Sequence, residues 1–238
     1  MSLLLRRVVA ELVGTAFLVI AVVGSGIMAS RLSPSDTGLA LLENSLATGA
    51  ALAALILALQ PVSASFNPVV TLVERALGLL DWSTAGALIV AQFVGGVAGT
   101  VVANAMFGLD AVALSTHPRT GPGLWLGEIV ATVGLLLVVF GTVRSGRADR
   151  VAFAVGGYIA AAYWFTSSTS FANPAVTLAR TITDTFAGIA PASAPAFMLA
   201  QLMGGVLGFI LVRLLYPAVA KAPAVAGAAS SSDRKAIL

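Results

Sequence analysis

A chain of 238 residues with 58% hydrophobic and only 10% charged residues has too little polar surface to cover itself in water, and its mean hydropathy of +0.99 excludes an ordinary soluble domain. The net charge of +3 does not mark a nucleic-acid binder, because the basic residues cluster beside apolar runs, as membrane topology signals do. With no cysteine, disulfides and thiolate metal sites are excluded, and no cofactor or metal is expected.

An α-helix needs ~20 apolar residues to cross a hydrocarbon core of about 30 Å. Six such spans are predicted in chain order, at residues 8–29, 39–59, 83–107, 124–143, 151–168 and 194–216. Arg6 and Arg7 precede the first run like the start of a secretory leader, but its full spanning length and its Glu11 argue for a permanent span. Between residues 59 and 83, and again between 168 and 194, the chain is too short and interrupted for another crossing and its return. Each of these segments carries Asn-Pro followed by about two apolar turns. Pro68 and Pro174 suit the first helical position, where a missing N–H costs nothing, and Asn67 and Asn173 suit the caps. Each segment therefore reads as a half-helix starting in mid-membrane. Irregular backbone at that depth must line a cavity or be buried in protein, so the carbonyls of Ser63, Ala64 and Ser65, and of Ser168, Thr169 and Ser170, are candidate acceptors along a water-filled path.

The loop before the fourth span holds His117, which reads as a solvated histidine, and Trp82, Trp125 and Trp164 read as interfacial anchors. Placing the N-terminus in the cytoplasm puts Arg6, Arg7, Arg75, Arg144, Arg147, Arg150, Arg213 and the basic residues of the tail inside, and leaves Arg31, Arg119 and Arg180 outside. Both termini are then cytoplasmic. The chain divides into one channel domain over 1–217, with repeats at about 8–107 and 124–216, and a mobile tail over 218–238.

The chain repeats itself. Glu11-Leu-Val-Gly-Thr is echoed by Glu128-Ile-Val-Ala-Thr, Asn67-Pro-Val-Val-Thr-Leu72 by Asn173-Pro-Ala-Val-Thr-Leu178, and Gln92-Phe-Val-Gly-Gly by Gln201-Leu-Met-Gly-Gly. Because each half holds an odd number of spans, the halves sit upside down relative to one another and bring their paired motifs face to face. The pairs Gly95/Gly99 and Gly204/Gly208 mark close helix contact. Two half-helices meeting at their N-termini place positive partial charge at the centre, which opposes cations. No nucleotide-binding motif and no chain of intramembrane acids supplies energy, so flow follows the gradient. A secondary transporter would need midplane coupling acids beyond Glu11 and Glu128, a non-conducting structural protein would keep the fold with a blocked pore, and no nucleophile–base arrangement supports an enzyme.

Paired Asn-Pro boxes in an inverted repeat of three spans resemble the major intrinsic protein family, the aquaporins and aquaglyceroporins, over nearly the whole chain. The resemblance implies an all-α, aquaporin-like fold of six transmembrane helices and two re-entrant half-helices, an hourglass pore in each protomer, a homotetramer in the bacterial inner membrane, and passage of water and small neutral solutes. It implies that Asn67-Pro68-Val69 and Asn173-Pro174-Ala175 are the pore motifs, with the asparagines donating to the permeant, and that Glu11 and Glu128 support the re-entrant loops.

The chain departs from the family in two places. Val69 stands where the first box has alanine, and Val176 stands where most members carry the arginine of the outer constriction; Arg180 follows one turn later. Counting back from the asparagines assigns the other constriction positions to Thr48, Ala161 and Ser170, with Ala162 if one residue is skipped, or with Tyr163 or Trp164 facing the pore if the fifth span is rotated. This small, uncharged set predicts a wide constriction. Together with the run Asn173-Pro-Ala-Val-Thr-Leu-Ala-Arg180 it resembles the bacterial aquaglyceroporins associated with arsenic resistance, which implies glycerol, urea, As(OH)3 and methylated arsenic acids as permeants beside water. Loss of the arginine removes one positive charge that repels protons and cations, which implies weaker proton exclusion.

Overall fold

A computed structural model describes residues 1–216; the tail over 218–238 lies outside the described residues. Among these residues, eight α-helices carry the chain: α1 (Leu3–Leu32), α2 (Thr37–Leu59), α3 (Pro68–Ala76), α4 (Trp82–Met106), α5 (Pro122–Arg144), α6 (Val151–Phe165), α7 (Pro174–Ala179) and α8 (Ala194–Leu215). Five of them, α1, α2, α4, α5 and α8, are long and apolar enough to cross a membrane. The predicted fifth span is shorter than expected: α6 has 15 residues, about 22 Å at 1.5 Å per residue. The chain leaves the helix at Thr166, in extended conformation, and continues as irregular backbone to Asn173.

Helix starts are set by short polar side chains. The carboxylates of Asp36 and Asp81 accept the amides of Leu39 and Thr84 at 2.9 and 2.8 Å, so α2 and α4 begin where a cap satisfies an otherwise orphaned N–H. Asn67 and Asn173 cap α3 and α7, with proline in the first turn of each.

Packing follows the inverted repeat. Helix α1 lies against α4 and α2, and α5 correspondingly against α8 and α6; α2 meets α6 across the two halves, and each short helix, α3 and α7, packs against both α4 and α8. Small residues allow this closeness. A Cβ added at Gly95 or Gly99 would stand 2.2 or 2.4 Å from the carbonyl oxygens of Leu12 and Ala16, so α4 touches α1 backbone to backbone. Large apolar side chains such as Phe17, Val90, Phe153 and Leu199 are exposed on the outer surface, where hydrocarbon is their natural solvent.

The segment between α4 and α5 crosses one end of the bundle and pairs with the chain after α7. Ala113 and Ser115 donate to the carbonyls of Ile182 and Thr181 at 3.1 and 2.9 Å, and Ala190 donates to that of His117 at 2.7 Å.

Candidate functional site

The centre of the molecule is a lock built twice. Glu11, fully buried on α1, accepts the Ser65 and Phe66 amides at 2.8 and 2.7 Å and the Ser63 hydroxyl at 2.6 Å. Glu128, fully buried on α5, accepts the Phe171 and Ala172 amides at 2.9 and 2.8 Å. A glutamine of the following long helix completes each arm: Gln92 Nε2 reaches Glu11 at 2.7 Å and the Thr71 hydroxyl at 2.9 Å, while Gln201 Nε2 reaches Glu128 at 2.6 Å and Thr177 at 2.8 Å. A carboxylate surrounded by donors is tolerated in an apolar interior because those donors replace its hydration shell.

The residues before the two asparagines turn the chain. Phe66 and Ala172 have φ of 48° and 49°, left-handed conformations that cost L-residues about 1–2 kcal/mol each. The turn lets the N–H of each face its glutamate while its carbonyl faces the opposite half. Phe66 O accepts the Asn173 side-chain amide and Ala172 O that of Asn67, both at 2.7 Å. The other end of each asparagine caps its own half-helix, Asn67 Oδ1 accepting Val69 N at 2.9 Å and Asn173 Oδ1 accepting Ala175 N at 3.0 Å. The two asparagines thus bolt the half-helices together across the pseudo-two-fold.

A cavity of about 90 Å³ runs past this lock, from Arg7 and Glu74 at the end where α1 begins to Tyr163, Val176 and Arg180 at the other. Its apolar wall is made by stripes at helical spacing: Thr48, Leu52 and Ile56 of α2, and Val151, Val155, Ile159 and Tyr163 of α6. Its polar side is the re-entrant backbone with Asn67 and Asn173. One neutral wall facing one line of acceptors and donors suits solutes that exchange water partners one at a time.

Of the residues singled out in the sequence, Ser63, Ala64, Ser65, Asn67, Asn173, Ser170, Val176 and Thr48 line the cavity. Ser168 and Thr169 do not, and neither do Pro68, Val69, Pro174 and Ala175, which are buried in the seams behind it. Val69 fills space above Gly205 of α8, where an added Cβ would meet its Cγ1 at 2.7 Å; the valine in the first box is a packing feature. Ala161 is a correction. It is exposed on the outer face of α6, and Tyr163 faces the cavity in its place, its hydroxyl 3.3 Å from that of Thr48. Trp164 points outward, half-exposed, with its indole N–H on Ser45.

Arg180 reaches the cavity after all. It is 3% exposed, its Nε donates to Ala187 O, and its guanidinium carbon sits 3.4 Å from the centroid of Phe171. Arg119, tied to Gly188 O at 2.9 Å, approaches the same ring at 5.1 Å. Sequence reasoning missed Glu74, Gln92 and Gln201 as site residues, although the glutamines recur at matching positions of the repeat.

The major intrinsic protein family model matches residues 1–170 and 144–236. The chain is 50% identical over 217 residues to aquaglyceroporin AqpS of Rhizobium meliloti, covering 90% of this chain and 92% of that protein. The chain belongs to the major intrinsic protein family. It is also 28% identical to aquaporin Z of Rhodopseudomonas palustris, over 89% of this chain and 94% of that one. The X-ray structure of the aquaglyceroporin from Plasmodium falciparum shares the fold, with a TM-score of 0.67 at 19% identity over 91% of this chain and 96% of that one. As a major intrinsic protein, the chain is an integral membrane channel for water and small solutes, and the six spans and two re-entrant half-helices of the family fold are those described above.

Proposed function

We propose that the channel is an aquaglyceroporin, passing neutral solutes larger than water: glycerol, urea, As(OH)3 and methylated arsenic acids. One observation carries this reading. The side chain at the family's arginine position is the neutral Val176, which lines the cavity with Thr48, Ser170 and Tyr163, while the guanidinium at that end belongs to Arg180, one turn on, and is held by Ala187 O and the Phe171 ring. The likeness to aquaglyceroporin AqpS over most of both chains agrees. In this reading the two Asn-Pro boxes are the pore motifs, Glu11 and Glu128 hold their loops, residues 1–217 form one channel domain, four copies assemble in the bacterial inner membrane, and both termini face the cytoplasm.

A water-selective channel is the second reading, and Tyr163 favours it, because its ring occupies cavity wall where a small alanine was expected. Stopped-flow light scattering on proteoliposomes separates the two. Fast flux of glycerol, urea and As(OH)3 is expected beside water. Val176→Arg is expected to cut the flux of the larger solutes roughly tenfold, and that of water far less, since it narrows and charges the constriction. Water flux alone from the unaltered protein would decide for the second reading, and equal loss of all fluxes in the variant would remove Val176 from the constriction.

A further inference from the structure

Glu74 is the seventh residue after Asn67, and the seventh after Asn173 is Arg180; the two line opposite ends of the cavity. The supporting arms are alike in both halves, so an acid at this place is no part of the scaffold. Nor does it serve its own helix. Glu74 lies in the last turn of α3, where the helix dipole disfavours a negative charge, and an ionisable side chain at membrane depth is costly unless it is used. The Ser65 hydroxyl donates to Glu74 Oε2 at 2.9 Å, while Oε1 accepts from no donor among the described residues. Arg7 lines the same mouth but stands beyond ion-pair distance: among the described residues, the pairs within 4.0 Å are His117 with Asp184 and Arg150 with Asp149. The backbone of Ser63, Ala64 and Ser65 lines this mouth as well, and its three carbonyls accept no hydrogen bond among the described residues. Open acceptors therefore gather at one end of the cavity, and one of them is a carboxylate oxygen.

We propose that Glu74 is a solute-binding residue, the anchor of a loading station at this mouth for neutral solutes that carry two or more linked O–H or N–H donors, the class of glycerol and urea. The proposal rests on the aquaglyceroporin reading above and adds the place where such solutes gain over water. A carboxylate oxygen accepts a hydroxyl more strongly than a backbone carbonyl does, because the bond is charge-assisted. Water makes the same bond, one molecule at a time. A solute with several donors on one frame reaches Glu74 and a neighbouring carbonyl together, the second bond forming at the effective concentration that the first sets up. Polyols and ureas are thereby favoured over water without any narrowing of the passage. Ser65 is a positioning residue: it occupies Oε2 and leaves Oε1 to the solute.

The test uses the full chain in proteoliposomes at about pH 8, well above the ordinary carboxylate range. Glycerol and urea fluxes are read over a range of concentrations, each divided by the water flux of the same vesicles. Glu74→Gln, which keeps an acceptor for Ser65 and removes only the charge, is expected to lower both ratios roughly five- to tenfold at low solute concentration. The loss should close as concentration rises, because the half-saturating concentration increases while the maximal flux is kept. Glu74→Ser, equally uncharged but smaller, must agree with it. Unchanged ratios in Glu74→Gln would overturn the proposal, since a brace for Ser65 is all that Glu74 would then be. A loss by one factor at every concentration would also overturn it, marking general damage to the pore, as would a loss in Glu74→Gln that Glu74→Ser does not share. If the unaltered protein carries water but neither glycerol nor urea, the aquaglyceroporin reading itself has failed; if it carries all three while Glu74→Gln keeps its ratios, only the loading station has.

Discussion

The two halves of the molecule agree in what holds the pore and differ in what faces it. The glutamate, glutamine, threonine and asparagine of each arm make the same bonds in both halves. At the seventh position after each asparagine one half carries an acid and the other a base. Support is constrained by the backbone amides it must satisfy, which are the same in an inverted copy; the wall is constrained only by what passes, and each mouth meets the solute separately.

Removing each carboxylate tests how well the support arms match. Glu11→Ala strands two amides and one N–H of Gln92, which keeps its bond to Thr71, and Glu128→Ala strands two amides and one N–H of Gln201, which keeps its bond to Thr177. The Ser63 hydroxyl, which also loses Glu11, can rotate toward another acceptor. At about 1–3 kcal/mol for each buried unpaired group, both variants are expected to lose most of their stability, and by similar amounts. Thermal unfolding in detergent measures the two losses. A large destabilisation in one variant and almost none in the other would break the comparison, because one arm would then be carrying both loops.

A smaller effect is expected at the helix seams. A Cβ at Gly95 would stand 2.2 Å from a backbone carbonyl of α1, which cannot move without shifting the helix, whereas a Cβ at Gly204 would meet the Thr132 side chain at 2.8 Å and the Ile129 carbonyl at 2.9 Å. Gly95→Ala is therefore expected to cost more than Gly204→Ala, within the ~1–3 kcal/mol typical of overpacking. Equal unfolding temperatures for the two variants would mean that the α1–α4 seam gives as easily as α5–α8.

What was legible in the sequence follows the same division. The long helices and half-helices were legible because length, apolar runs and the Asn-Pro caps are local signals; their ends fall close to the predicted ones except in α1, which begins five residues before the predicted span. The face of α6 was not. Counting back from Asn173 to Ala161 carries a register across residues 166–172, but that stretch is not helical and includes left-handed residues at Thr169, Ser170 and Ala172, so the count lands on the wrong side of the helix. Tyr163 lies two residues on, about 200° around it. Glu74 and Arg180 went unpaired for a simpler reason: the matched blocks end at Leu72 and Leu178, two residues short of them.

The smallest effect concerns the loops that cross the Arg180 end. Asp184 accepts the Thr116 amide at 2.8 Å and the Thr116 hydroxyl at 2.9 Å, with His117 3.7 Å away. The Thr116 amide first, then the hydroxyl and the histidine, hold its carboxyl below the usual carboxylate range. A folded-state pKa below the unfolded one stabilises the fold above the unfolded value and ceases to do so as pH falls through the folded one. Acidification below about pH 4, the usual aspartate value, should therefore loosen this contact, while the buried arms around Glu11 and Glu128 hold the rest of the fold. Amide hydrogen exchange at Thr116 is expected to speed up on acidification relative to the intrinsic rate, and Asp184→Asn should remove that dependence. Exchange that follows the intrinsic rate alone in both proteins would show that the crossing loop is held by its backbone bonds to Thr181 and Ile182 and not by Asp184.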